Sequence, residues 1–127
     1  MRLISGNASK GGHYSPGVVS RGMLYVSGQL PIDHSTGTLV SGGAAEHTRT
    51  ALQNMERVLA AAGVTKEAVV MCRVYVPDVK LWEDVNREYA AFFGEHRPAR
   101  VVVPTRELHY GAMVEIEAVA EMPEESL

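Results

Sequence analysis

Apolar and polar positions change period several times along the chain, and each change marks an element. Val18-Val19-Ser20 and Met23-Leu24-Tyr25-Val26-Ser27 are short β-prone runs on either side of Arg21-Gly22, a pattern that predicts a hairpin. A loop follows, with Pro31 and the turn signal Ser35-Thr36-Gly37. Over residues 43–62 the spacing becomes helical: Ala45, Thr48, Leu52, Met55, Leu59 and Ala62 fall three or four apart and share a face. Gly63 is placed to stop that helix. From Ala68 to Val76 the chain is rich in β-branched residues and reads as a strand ended by Pro77. Asp78 can cap a second helix in which Leu81, Val85, Tyr89 and Phe92 share a face; Gly94 ends it, and Pro98 discourages its return. Arg100-Val101-Val102-Val103 is a further strand. From Met113 to Glu121, Val114, Ile116 and Ala118 alternate with Glu115 and Glu117, the mark of a half-buried strand.

With a weak first strand near Leu3-Ile4, the order is β-β-β-α-β-α-β-β. The simplest solution is an α+β fold, a β-sheet with two helices packed on one face. The other sheet face then needs a cover. A chain of 127 residues is one domain, 1–127, with no elements left over, so further copies of the chain are expected there.

Composition narrows the classes. Hydrophobic residues make up 46% and charged residues 21%, an ordinary globular balance. The formal net charge of -3 argues against nucleic acid as the main partner, because phosphate binding needs a basic face. A single cysteine, Cys72, excludes an intramolecular disulfide and fits a reducing compartment. The first residues lack the apolar core of a signal peptide, and no apolar run approaches the ~18 residues of a membrane span. A cytoplasmic protein without membrane association is expected. The five histidines show no metal-ligand spacing such as His-x-x-x-His, so no metal is expected.

Several short runs, taken together, resemble the Rid (reactive intermediate deaminase) or YjgF-like family. They are Tyr14-Ser15, Ser27-Gly28-Gln29, Thr36-Gly37, Asn54, Val85-Asn86 with Tyr89 and Phe92-Phe93, Pro98-Ala99-Arg100, and Val114 to Ala120. They keep the family's order and spacing over nearly the whole chain. The resemblance implies a chorismate-mutase-like fold and a homotrimer, with sheets inside, helices outside, and sites in clefts between subunits. It implies hydrolysis of 2-aminoacrylate-type enamines and 2-imino acids to 2-keto acids and ammonia, without cofactor or metal. The expected partners are a small carboxylate-bearing substrate and the chain itself.

The resemblance also assigns residues. Arg100 matches the arginine that grips the substrate carboxylate, a role suited to its planar, permanently charged fork. Glu115 matches the glutamate proposed to hold or activate the attacking water. Glu117, on the same strand face, is its competitor on local sequence alone. Tyr14 offers a hydroxyl to substrate or water, or else anchors its loop. Ser27 and Gly28 lie where backbone can approach a ligand, although Ser27 also suits a simple turn. Val102 stands where the family often has cysteine, so only its backbone carbonyl is available to substrate. Cys72, in an apolar strand, reads as buried and inert.

Other departures are His13 in place of a usual proline, Pro16 in place of glutamine, and His109 after Leu108 in place of proline. Both histidines could add acid-base groups near the cleft, although each reads first as an exposed loop residue. Three other functions stay open: a pathway-specific deaminase of a larger amino-dienoate such as an aminomuconate, a non-catalytic carboxylate-binding regulatory trimer, and the ribonuclease or translation-inhibitor role of some relatives. The last is disfavoured by the acidic balance.

Overall fold

The structure, a computed structural model, describes residues 1–5 and 12–124. Six strands form one mixed sheet: β1 (Arg2–Ile4), β2 (Gly17–Ser20), β3 (Met23–Gln29), β4 (Val69–Val76), β5 (Ala99–Pro104) and β6 (Glu115–Glu121). Two helices, α1 (Ala44–Ala62) and α2 (Trp82–Phe93), complete the frame. The strand order is β1-β2-β3-β6-β4-β5, and the element order is the one the sequence predicts. The expectation of one domain over 1–127 extends at residues 6–11 and 125–127 outside the described residues.

The hairpin joining β2 and β3 turns on Arg21 and Gly22, both left-handed at φ 52 and φ 77. Two such residues match the right-handed twist of the flanking strands. Helix α1 begins with the Glu46 carboxylate accepting the Gly43 N–H at 2.7 Å, a bond that holds the Glu46 carboxyl below its usual range. It ends at Gly63, left-handed at φ 91, where the Val64 N–H returns to the Leu59 carbonyl at 3.0 Å. Asp78 does act as a cap, but not of α2 itself. Its side chain accepts from the Lys80 N–H at 2.9 Å and caps a 3-10 turn, Val79–Leu81, that leads into α2. The tighter turn consumes three residues before α-helical bonding starts at Trp82. Ala68 likewise belongs to a 3-10 turn, Lys66–Ala68, rather than to the strand after it. β5 starts one residue early, at Ala99, and β6 late, at Glu115.

β4 and β5 run parallel, which requires a crossover; α2 supplies it. All other pairings are antiparallel. Both helices lie on the same sheet face. Leu52, Met55 and Leu59 of α1 and Val85, Tyr89 and Phe93 of α2 join Leu24, Val74 and Ile116 of the sheet in one core. Leu24 and Ile116 are fully buried, and each such side chain contributes about 1.5–3 kcal/mol when removed from water.

The opposite face carries no helix. Register places an apolar row across all six strands there: Leu3, Val18, Tyr25, Val119, Met71 and Ala99. Leu3 and Tyr25 are 61% and 49% exposed. Beside this row lies a polar group. The Tyr75 hydroxyl donates to the Glu117 carboxylate, and Arg73 lies 3.9 Å from the same oxygen. No described helix is long and apolar enough to cross a membrane.

Candidate active site

Arg100 sits on the sheet's edge strand, paired with the buried Cys72 of β4, and so points to the helix-covered face. There α2 receives it. Trp82, Asn86 and Tyr89 fall at i, i+4 and i+7 and form one stripe of the helix. The guanidinium carbon lies 4.7 Å from the Trp82 ring centre and 4.8 Å from that of Tyr89. One guanidinium N–H donates to the Asn86 side-chain carbonyl at 2.9 Å. Asn86 is its one hydrogen-bond partner among the described residues, so the other N–H groups remain for a ligand. Val102, paired with Val74, lies on the same face and packs against the core.

Cys72 lies beneath Arg100. Burial pushes its thiol above the usual range, with the Tyr89 hydroxyl and the Arg100 charge opposing. This suits the inert thiol expected from sequence. The Tyr89 hydroxyl is buried beside the thiol and interacts with it, but makes no hydrogen bond of good geometry with any described residue.

Glu115 occupies a different place. It pairs with Tyr75 in β6, on the helix-free face, one strand removed from β5. Arg100 and Glu115 therefore lie on opposite faces of one sheet, and a single chain does not bring them together.

What a single chain does assemble around Glu115 is a second group. The register of β3 against β6 shifts between Val26 and Gln29, a bulge centred on Ser27 and Gly28. The Glu115 side chain crosses Gly28 so closely that a Cβ there would sit 2.5 Å from its Oε2. Ser27 ties the bulge to the preceding loop: its hydroxyl donates to the Ser15 carbonyl at 2.6 Å, and its N–H donates to the Pro16 carbonyl at 2.9 Å. Tyr14, next in the chain, is 45% exposed. Ser27, Gly28, Tyr14 and Glu115 thus belong to one neighbourhood, while Arg100 and Val102 belong to the other.

The two carboxylates of β6 differ in commitment. Glu117 is engaged by Tyr75 and Arg73. The Glu115 carboxylate makes no hydrogen bond or ion pair with another described residue. Burial raises its carboxyl above the usual range; the His109 charge opposes this and Glu117 adds to it. Of the two carboxylates, Glu117 is thus committed to partners within the chain and Glu115 is not. His109 begins a 3-10 turn, His109–Gly111, ahead of β6; it is exposed, as expected, but close enough for its charge to act on Glu115. His13 is exposed as well.

Sequence reasoning gave Asn86 no role and did not single out Trp82. The available signal was the i, i+4, i+7 stripe ending in Tyr89, which reads first as a core face. Asn54 also gains a role: its side-chain amide donates to the Leu30 and Ile32 carbonyls at 3.0 and 2.8 Å, clamping the segment after β3. Among the described residues no cluster of three or more His, Cys, Asp or Glu could hold a metal ion.

Comparison with known proteins places this arrangement. The chain is 40% identical to the human 2-iminobutanoate/2-iminopropanoate deaminase over 121 residues, 94% of this chain and 88% of that protein. It is 38% identical to a RutC family protein of Pyrococcus horikoshii over 119 residues, 93% of this chain and 94% of that one. The fold matches the crystal structure of a putative endoribonuclease from Thermotoga maritima with a TM-score of 0.91 at 36% identity, covering 98% of this chain and 99% of that one. The family described as endoribonuclease L-PSP matches residues 6–122. The chain belongs to that family, the YjgF or Rid family.

Proposed function

We propose that the protein is an enamine/imine deaminase that hydrolyses 2-aminoacrylate-type enamines and 2-imino acids to 2-keto acids and ammonia. The observation that carries this reading is the guanidinium of Arg100, fixed by Trp82, Asn86 and Tyr89 with further donors uncommitted. A planar cation so held suits a carboxylate bound through two parallel hydrogen bonds. The human relative's name, a deaminase of two 2-imino acids, supports the same substrate class.

In this reading Arg100 anchors the carboxylate and Glu115 handles water. An enamine first gains a solvent proton at C3 and becomes the protonated imine. Glu115 accepts a proton from water as the oxygen adds to the imine carbon. It returns that proton to nitrogen and then takes the hydroxyl proton of the carbinolamine; the C=O bond forms as the C–N bond breaks, and ammonia leaves the 2-keto acid. A carboxyl raised by burial suits both transfers, because its two forms lie closer in energy near neutral pH. The Ser27-Gly28 bulge brings backbone close to the reacting group, and Tyr14 offers a hydroxyl. The Val102 backbone carbonyl lies two residues beyond Arg100 as a further polar contact.

The separation of Arg100 and Glu115 within one chain demands a second chain. The apolar row on the helix-free face is the surface for it, and the homotrimer places Arg100 of one subunit against Glu115 of another. The unit that associates is the whole chain as one domain, working in the cytoplasm.

Ammonia release from freshly generated 2-iminobutanoate and 2-aminoacrylate tests the reading. Wild type accelerates release, and Arg100→Ala lowers kcat/KM by about 100-fold or more, as loss of a bidentate anchor requires. No acceleration by wild type overturns the small-substrate assignment.

A further inference from the structure

Trp82 is the chain's single tryptophan, and it stands half-buried at the first position of α2. The three contacts that hold Arg100 differ in what else they do. Tyr89 is a core residue, 6% exposed, with its ring centre 4.8 Å from that of Phe93. Asn86 supplies one hydrogen bond. Trp82 is outside the buried core, whose members from α2 are Val85, Tyr89 and Phe93. Its contact with the guanidinium, at 4.7 Å, is the feature of its position that packing alone does not require. A guanidinium lying against aromatic faces keeps its N–H edges directed away from the rings, because ring faces attract the cation without consuming an in-plane donor. An exposed arginine on an edge strand would otherwise sample many rotamers.

We propose that Trp82 is a positioning residue for Arg100: its ring sets the plane of the guanidinium, so that the edge not engaged by Asn86 meets a ligand carboxylate with two parallel hydrogen bonds. The same contact makes Trp82 emission an internal report of carboxylate occupancy, since pairing the guanidinium with an anion changes the field at the indole. This inference rests on the reading of Arg100 as the carboxylate anchor.

Two measurements test it. The first follows intrinsic fluorescence during titration with 2-oxobutanoate, a stable product of the proposed reaction, in wild type and in Arg100→Ala. A saturable emission change in wild type, absent in Arg100→Ala, is expected. It is read with the native Trp82 in place, so it stands even if substitution at Trp82 impairs folding. The second compares Trp82→Leu and Trp82→Phe in 2-iminobutanoate hydrolysis, with folding checked by circular dichroism. Trp82→Leu raises KM about tenfold with kcat within about twofold, and Trp82→Phe restores most of the loss. An unchanged KM in folded Trp82→Leu overturns the positioning role and leaves the anchor intact. Emission that responds equally in wild type and Arg100→Ala overturns the anchor reading, and the proposal with it. Absence of any response in wild type overturns the contact as a reporter.

Discussion

The carboxylate of Glu115 lies across Gly28, so close that a methyl group on Gly28 would stand 2.5 Å from its Oε2. The atom in the way is the end of a flexible side chain, so the fold can absorb a methyl by moving it. Gly28→Ala therefore shifts the carboxylate while sparing the core. Imine hydrolysis falls about 100-fold, the scale set by an ångström of misplacement, with little change in Tm. Steady-state kinetics and thermal unfolding of the variant check both halves of this expectation.

Burial raises the Glu115 carboxyl, so its protonated form is the one the fold favours. A raised folded pKa stabilises below the unfolded value, and that stability is lost as pH rises through the folded value. Glu115→Gln removes the cost of ionising the group. The variant has a higher Tm than wild type at pH 7, a difference that disappears near pH 4, while deaminase activity is lost. Thermal melts across that pH range provide the check.

Asn54 holds the chain after β3 through two bonds to the Leu30 and Ile32 carbonyls. Asn54→Ala leaves both acceptors without their partner and costs about 1–3 kcal/mol in urea unfolding. A change below about 0.5 kcal/mol would show that water replaces the amide at no cost.

Tyr25 lies within the apolar row of the helix-free face, between Val18 and Val119. Its side chain is half exposed in the single chain, so Tyr25→Arg leaves the fold intact and blocks association. Light scattering should show a shift from trimer to monomer, accompanied by at least a tenfold loss of activity.

The order of elements was legible because periodicity is local: the helical stripe from Ala45 to Ala62 and the alternation from Val114 to Ala118 each carry their own signal. The Arg21-Gly22 turn was legible for the same reason. Pairing is not local. That Arg100 lies beside Cys72, and Glu115 beside Tyr75, follows from strand order and register, which bring together residues far apart in sequence. The run Val101-Val102-Val103 does not alternate, so it gave no sign of the face to which Arg100 points. Resemblance named both residues of the proposed chemistry but not their separation. The hold of Trp82 on Arg100 was hidden because its spacing to Tyr89 looks like core. The short step at Val79–Leu81 moved the start of α2 beyond its apparent cap, since one 3-10 turn leaves no mark on the apolar pattern.

The central claim is that Arg100 and Glu115 act together across two subunits. Co-expression of Arg100→Ala with Glu115→Gln, each inactive alone, tests it directly. In a cyclic trimer whose sites join Arg100 of one chain to Glu115 of the next, every mixed trimer contains one intact site. Random assembly then recovers about a quarter of wild-type activity. Recovery at that level, lost when the two variants are purified apart and mixed without exchange, is the predicted result. No recovery in trimers shown to contain both variants would contradict a shared site.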